Sequence, residues 1–262
     1  MSTTTTTRAP SGRRGLGTLM RTEARLFLRD PGGVFFALAF PTVLLLGMGH
    51  LIPGMREPVT GVPELAGLAL IHLWGPVIVA TAIATVSLTT LPAYVSSYRE
   101  NGVFRRLSTT PMRPRGVLAA HVAVSGGALA LAVALAVAGG VLTLNLPLPE
   151  SPLVVLGALV LATLALFAVG LVIGGVAPKA STASGIGMLL YFPMLFFAGL
   201  WLPISQMPDT LATIASFTPL GAASEAMTSG WFGGDVPWRE LAVLAGWTVV
   251  GYPVAAKVFR WS

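Results

Sequence analysis

Six long apolar runs constrain the fold of this chain more than any other feature of its sequence. They cover about residues 34–52, 65–95, 116–146, 153–176, 183–202 and 241–258. A helix needs about 20 apolar residues to cross a hydrocarbon core, and lipid offers no water to satisfy an open backbone. The sequence therefore predicts an all-α polytopic integral membrane protein with six transmembrane helices, here called spans 1 to 6.

Composition excludes several other classes of protein. Hydrophobic residues make up 54% of the chain and charged residues 10%, which rules out a soluble domain with an ordinary charged surface. The chain has no cysteine and three scattered histidines, so neither disulfides nor a metal site are expected. The net charge of +6 would suggest nucleic acid if the basic residues shared one solvated face, but they alternate with apolar runs. We expect no nucleic-acid partner.

The basic residues instead predict the topology. With both termini in the cytoplasm, only Arg56 and Arg239 of the 16 Lys and Arg residues fall on the outer side. Cytoplasmic loops of membrane proteins carry an excess of Lys and Arg. We therefore expect a multi-pass membrane protein with an inward N-terminus and an inward C-terminus. The high usage of Ala, Gly, Val and Arg suits a GC-rich bacterium, so we expect the membrane to be the bacterial inner (plasma) membrane.

The segment before span 1 divides into two parts. Residues 1–14 form a Thr-rich basic tail that we expect to be disordered, and residues 15–32 have the pattern of an amphipathic helix at the inner interface, in contact with lipid. Glu23 falls within the apolar face of that helix, so we expect it either to meet an arginine or to tilt out to water. The candidate residues of this helix are Arg21, Glu23, Arg25, Arg29 and Asp30.

A dense cationic segment, residues 97–115, separates spans 2 and 3 and is here called the basic loop. It carries five arginines and one acid. After the turn signal at Asn101 and Gly102, a short helix would place Val103, Phe104 and Leu107 on one face and the next arginines on another. Such a helix could dock into the groove of a partner protein, or the loop could serve only to fix the orientation of the chain.

Residues 203–240, between spans 5 and 6, are too long and too apolar for an ordinary loop. Two segments, about residues 210–217 and 220–229, are predicted as short helices, either half-inserted or lying on the outer surface.

The absence of certain residues and motifs from the sequence indicates which sources of energy could drive transport. No span holds an acidic or basic residue away from its ends, and His72 is the one plausible titrating group within a span, although a hydrogen-bonded structural role is the commoner one. The chain also has no phosphate-binding loop of the G-x-x-x-x-G-K-[ST] kind. Energy from ATP would have to come from another subunit.

Three segments of the chain carry a resemblance to a known family. They are RTEARLFLRDPGGVFFALAFPTVLLLGMG, YRENGVFRRLSTTPMRP and FFAGLWLPISQMPDTLATIASFTPLGAASEAM. Together they resemble the type-2 ABC transporter permeases, particularly the daunorubicin-resistance-like exporters of drugs and antibiotics. The resemblance covers nearly the whole chain after about residue 15. The family's loop often begins with an acid-arginine pair, where this chain has Tyr98, Arg99 and Glu100.

The resemblance implies a connecting helix at residues 15–32, a single permease domain at residues 33–262 and short outer helices before span 6. It also implies a coupling helix that docks on a cytoplasmic ABC ATPase, formed or framed by Arg99, Glu100, Gly102, Val103, Phe104, Arg105, Arg106, Leu107, Thr109 and Pro111. An outer gate would be shaped by Pro203, Gln206, Pro208, Pro219 and Glu225.

The same resemblance implies a dimer with an identical or related permease, and ATP and magnesium bound to the separate ATPase. This chain would then hold no cofactor, no metal and no catalytic residue, and its cargo would be a hydrophobic drug, antibiotic or lipid-like molecule. The alternatives are an ion- or proton-driven secondary transporter, or an ABC exporter of a polysaccharide or lipid-linked glycan.

Overall fold

Six helices long and apolar enough to cross a membrane dominate the computed structural model, which describes residues 12–59, 67–103 and 114–258. In these ranges the six spans are Pro31–Leu51, Leu70–Glu100, Pro114–Leu144, Pro152–Val176, Ala180–Phe197 and Trp238–Val258. The prediction of an all-helical protein with six spans is confirmed. Span 2 begins at Leu70, where the prediction placed its start near residue 65, and it extends to Glu100. Residues 1–11 of the predicted tail lie outside the described part, and residues 12–14, which were also assigned to the tail, belong to a helix.

An N-terminal helix, Gly12–Leu28, precedes span 1 and packs against span 3. Among the side chains of this helix that the structure describes, those of Glu23 and Phe27 are buried. Asp30, which was assigned to this helix, instead begins span 1, because its carboxylate accepts a hydrogen bond from the Gly33 N–H at 3.0 Å. Asp is a favoured helix N-cap, and Pro31 suits the first helical position because its missing N–H has no partner there.

Span 2 is the central helix of the bundle. Its most apolar stretch is 89% buried, whereas the corresponding stretch of span 6 is 11% buried. Span 2 contacts spans 1, 3, 4 and 5. A change in its position must therefore alter the packing of most of the other spans.

A π-helical segment, Thr85–Thr90, interrupts the regular hydrogen bonding of span 2. Pro92 follows it and has no N–H to donate to the Leu88 carbonyl four residues earlier. The Leu91 N–H bonds the carbonyl of Val86, five residues back, and not that of Ser87. The carbonyls of Ser87 and Leu88 thus lack their ordinary helical donors.

Two glycines lie directly against these carbonyls. A Cβ atom at Gly170 of span 4 would lie 2.1 Å from the Ser87 oxygen, and one at Gly187 of span 5 would lie 1.9 Å from the Leu88 oxygen. Small residues allow helices in membranes to approach closely enough for backbone contact. Glycine is required at both positions because any side chain would collide with backbone.

Two short α-helices lie between spans 5 and 6, as predicted. Short helix 1 is Asp209–Phe217 and short helix 2 is Pro219–Phe232. Short helix 2 is inserted in the bundle and contacts spans 2, 4 and 6. The indole N–H of Trp231 donates to the carbonyl of Pro147 at 2.7 Å, which ties this helix to the turn between spans 3 and 4.

We predict that Gly170→Ala and Gly187→Ala each lower the stability of the protein by about 1–3 kcal/mol, because the added methyl group forces spans 4 and 5 away from span 2. Thermal unfolding of the purified protein in detergent measures the change. Gly157→Ala in span 4 is the matched control, since nothing lies within 4 Å of its added Cβ. Equal melting temperatures for Gly170→Ala and Gly157→Ala would contradict the close approach.

Candidate functional site

The end of span 2, which is also the start of the basic loop, presents three consecutive polar side chains to three different elements. Residues that follow one another on a helix point about 100° apart. Tyr98, Arg99 and Glu100 use this divergence to contact the N-terminal helix, the end of span 4 and the start of span 5. We call these three residues the hub.

Tyr98 joins span 2 to the N-terminal helix through a buried carboxylate. Its hydroxyl donates to Glu23, which is 5% exposed, and Oε2 of Glu23 lies 3.1 Å from Nδ1 of His121 in span 3. The rings of Tyr94 and Tyr98 lie beside the His121 ring, with centroids 4.9 and 6.0 Å away. Three elements thus share one buried polar cluster.

The expectation that Glu23 meets an arginine or turns to water was wrong. Its described partners are Tyr98 and His121, while Arg21, Arg25 and Arg29 of the same segment are exposed. Burying a carboxylate is costly unless hydrogen bonds compensate it, and two aromatic side chains from neighbouring spans supply those bonds. The apolar face predicted the burial of Glu23 but could not predict its partners, because span 3 lies about 100 residues further along the chain.

Arg99 closes the end of span 4. Its guanidinium donates to the carbonyl of Gly175, and the carbonyls of Gly174 and Ala177 lie 3.4 and 3.5 Å from the same nitrogen. The last carbonyls of a helix have no partner within it and carry the negative end of the helix dipole. The Arg99 cation therefore both donates to these unpaired carbonyls and compensates the negative end of the dipole.

Glu100 has the complementary role at the start of span 5. Its Oε2 accepts a hydrogen bond at 3.1 Å from the N–H of Ala180, the first residue of that helix. A carboxylate is favourable at the positive N-terminal end of a helix. The adjacent Arg99 and Glu100 thus hold both sides of the turn between spans 4 and 5.

The structure describes only the first part of the predicted coupling element. Gly102 follows the hub with a positive φ of 64°, which glycine adopts without strain, and Val103 is partly buried. The other predicted residues of this element lie outside the described part: Phe104, Arg105, Arg106, Leu107, Thr109 and Pro111.

The predicted gate residues lie at the opposite end of the bundle, here called the far end, and only some of them meet. Pro203 and Glu225 line one cavity. Gln206 and Pro208 are exposed, and Pro219 is buried as the first residue of short helix 2. The fold therefore separates this set into a cavity pair, two surface residues and one packing residue.

His72 is hydrogen-bonded on both ring nitrogens. Its Nδ1 accepts from the Ala69 N–H at 3.1 Å, so Nε2 must carry the proton that it donates to the Leu144 carbonyl at 2.9 Å. This is the neutral tautomer, and it joins the start of span 2 to the end of span 3. The described contacts thus give His72 a structural role.

We predict that Tyr98→Phe lowers the free energy of unfolding by about 1.5–3 kcal/mol, because it removes a hydrogen bond to a buried carboxylate. Tyr94→Phe is the matched control one turn earlier, since the Tyr94 hydroxyl bonds the exposed Asp30 at 3.1 Å, and we expect a loss below about 1 kcal/mol.

A double-mutant cycle with Glu23→Gln isolates the pair within this cluster. We expect a coupling energy of about 0.5–3 kcal/mol between Tyr98→Phe and Glu23→Gln, measured by denaturant unfolding in detergent. Additive losses would show that the two side chains do not depend on each other.

Comparison with known proteins assigns this chain to a family. The family described as ABC-2 type transporter matches residues 14–232, a range that includes the N-terminal helix, the hub, spans 1 to 5 and both short helices. A search of curated proteins found no match. Members of this family are transport membrane subunits that in general work with an ATPase partner and as paired permeases. The chain belongs to the ABC-2 type transporter family and is a multi-pass membrane permease.

Proposed function

We propose that this chain is the membrane-spanning subunit of an ATP-driven exporter of the daunorubicin-resistance-like kind, in the bacterial cell membrane with both termini in the cytoplasm. Its cargo is a hydrophobic drug, antibiotic or lipid-like molecule. ATP and magnesium bind a separate ATPase subunit, and a second permease completes the transport path. The family match and the resemblance of the three sequence segments support this assignment.

The hub is the observation that carries the mechanism. The hub forms the start of the basic loop, and its three residues bond the N-terminal helix and the facing ends of spans 4 and 5. A force applied to the loop by an ATPase would therefore reach several spans through short polar contacts. Flexible side-chain packing alone would transmit it less directly.

The proposed transport step is a shift between two arrangements of rigid helices. ATP-driven closure of the ATPase pair would displace the basic loop and the N-terminal helix together, because Tyr98 and Glu23 join them. Spans 4 and 5 would follow through Arg99 and Glu100. The ATPase can shift the equilibrium only by binding one arrangement more tightly than the other. The chain itself performs no bond chemistry in this mechanism.

Charge reversal in the basic loop tests docking. We predict that the double substitution Arg105→Glu and Arg106→Glu lowers copurification of the ATPase and cargo-stimulated ATP hydrolysis at least about tenfold, because interfacial like charges cost several kcal/mol. Arg105→Lys with Arg106→Lys is the control that keeps both charges. If the charge-reversed variant is well expressed and exports at the full rate, the basic loop serves only to fix the orientation of the chain in the membrane.

A substitution in the hub distinguishes the transmission of movement to the spans from the docking of the ATPase. We predict that Arg99→Gln leaves the ATPase bound but lowers export several-fold, because the carbonyls at the end of span 4 lose their cation. Lys179→Gln, an exposed base in the same turn, is the matched control. Copurification and export in vesicles are measured on the same preparations. Loss of the ATPase from Arg99→Gln would place Arg99 at the docking surface instead.

A proton-driven carrier is less well supported. It would require a titrating group free to exchange protons within a span. His72, the group that the sequence indicated, has both ring nitrogens occupied by backbone groups, and His121 of span 3 is bonded to Glu23. Export that follows a proton gradient without ATP would favour that alternative.

A further inference from the structure

A cavity of about 480 Å³ lies at the far end of the bundle, among the start of span 2, the end of span 5 and short helix 2. Sites for small organic ligands usually measure about 300–1,000 Å³. Its walls are mainly apolar and include Trp74, Val77, Ile204 and Phe232. Glu225 of short helix 2 is the charged residue in this lining.

Four polar donors around the cavity are already engaged with backbone carbonyls. They bond over 2.6–3.0 Å and belong to Trp74, Ser224, Thr228 and Ser229. The Trp74 bond to the Leu200 carbonyl also fixes the orientation of its indole ring. These groups shape the walls but have no free hydrogen to offer a ligand.

The Glu225 carboxylate differs from these groups because one of its oxygens can still accept a hydrogen bond or pair with a cation. Its Oε2 is buried and has no hydrogen-bond partner among the described residues. The neighbouring Arg239 of span 6 donates to the Ser216 hydroxyl at 2.9 Å and lies 5.2 Å from the centre of the Phe217 ring. Its guanidinium is thus directed to the end of short helix 1.

Other charged groups face Glu225 from an adjoining cavity. Asp235, Arg239 and Glu240 line that second cavity together with Glu225. Burial raises the pKa of the Glu225 carboxyl, Glu240 raises the pKa further, and Arg239 opposes both. The ionised carboxylate is therefore insufficiently compensated by its own protein, and an added positive charge would stabilise it.

We propose that this cavity binds a hydrophobic monovalent cation, an organic amine or onium ion, with Glu225 as its counter-ion and Trp74 and Phe232 as its aromatic walls. A small metal ion would need several oxygen ligands, whereas the walls here are largely apolar. Aromatic faces attract organic cations, and an apolar enclosure suits their hydrocarbon parts. Identifying this ligand as exported cargo rests on the proposed function, but the binding itself does not.

Binding to the ionised carboxylate makes the affinity depend on pH. Below the raised pKa of Glu225 the carboxyl is protonated and neutral, so the cation loses its counter-ion. Affinity should therefore increase as the pH rises through that pKa. A Gln at position 225 removes this dependence.

The test uses radiolabelled tetraphenylphosphonium and tetraphenylborate, which share size and shape but differ in the sign of charge. Equilibrium binding is measured on the full-length permease in detergent, with any copurifying ATPase, from about pH 5 to about pH 8. We expect the cation to bind the unsubstituted protein and the anion not to bind. Glu225→Gln should weaken cation binding about tenfold or more and abolish its pH dependence.

Two further variants complete the experiment. Asp209→Asn removes an exposed acid from the same end of the molecule and should leave cation binding unchanged. Phe232→Leu keeps an apolar wall without a ring and should weaken binding about threefold or more. Melting temperatures verify that each variant is folded. Glu225→Gln is isosteric and relieves a buried charge, so we expect no loss of stability from it.

The outcomes separate this proposal from the proposed function, because equilibrium binding needs no ATP. Equal binding of both ions, no binding of the cation, or full cation affinity in folded Glu225→Gln would overturn the site. Cation binding that depends on Glu225 without ATP-driven export would leave the site intact and refute the exporter. If export is driven by ATP but cation binding does not depend on Glu225, the proposed function stands and the proposed site is refuted.

Discussion

The close packing of span 2 against spans 4 and 5 is the constraint on which the rest of the structure depends. Lipid supplies little hydrophobic force to bring helices together, so their association relies on close contact and polar bonds. The carbonyls of Ser87 and Leu88 lie where Gly170 and Gly187 provide no side chain. Because span 2 is fixed at its middle in this way, its two ends can serve as defined reference points for the elements around them.

The hub uses helix electrostatics at the end of span 2, where the basic loop starts. Arg99 faces terminal carbonyls and Glu100 faces a terminal N–H, so each charge matches the dipole of the helix that it contacts. Tyr98 adds a bond to the buried Glu23, which in turn meets His121. In the proposed exporter, this arrangement lets a docking event outside the membrane reach several spans at once.

The far end differs from the hub because a buried polar atom there has no partner among the described residues. The indole of Trp74 and the hydroxyls of Ser224 and Thr228 donate to backbone carbonyls, and one buried oxygen of Glu225 is left without a partner in the described structure. A satisfied polar network stabilises a protein, whereas an unsatisfied buried charge costs free energy and marks a place where an external partner can bind. The hub thus supports a mechanical role, and the cavity supports a role in recognition.

The sequence by itself determined the six spans, the amphipathic N-terminal helix and the two short helices, since long apolar runs in lipid have almost no alternative to helices. It also marked Glu23 and His72 as polar residues in apolar surroundings. Only the tertiary structure decided their partners, the division of work among Tyr98, Arg99 and Glu100, and the meeting of Pro203 with Glu225 in one cavity. The physical reason is that periodicity fixes which face of a helix is buried, whereas partners on distant helices depend on how the whole bundle packs.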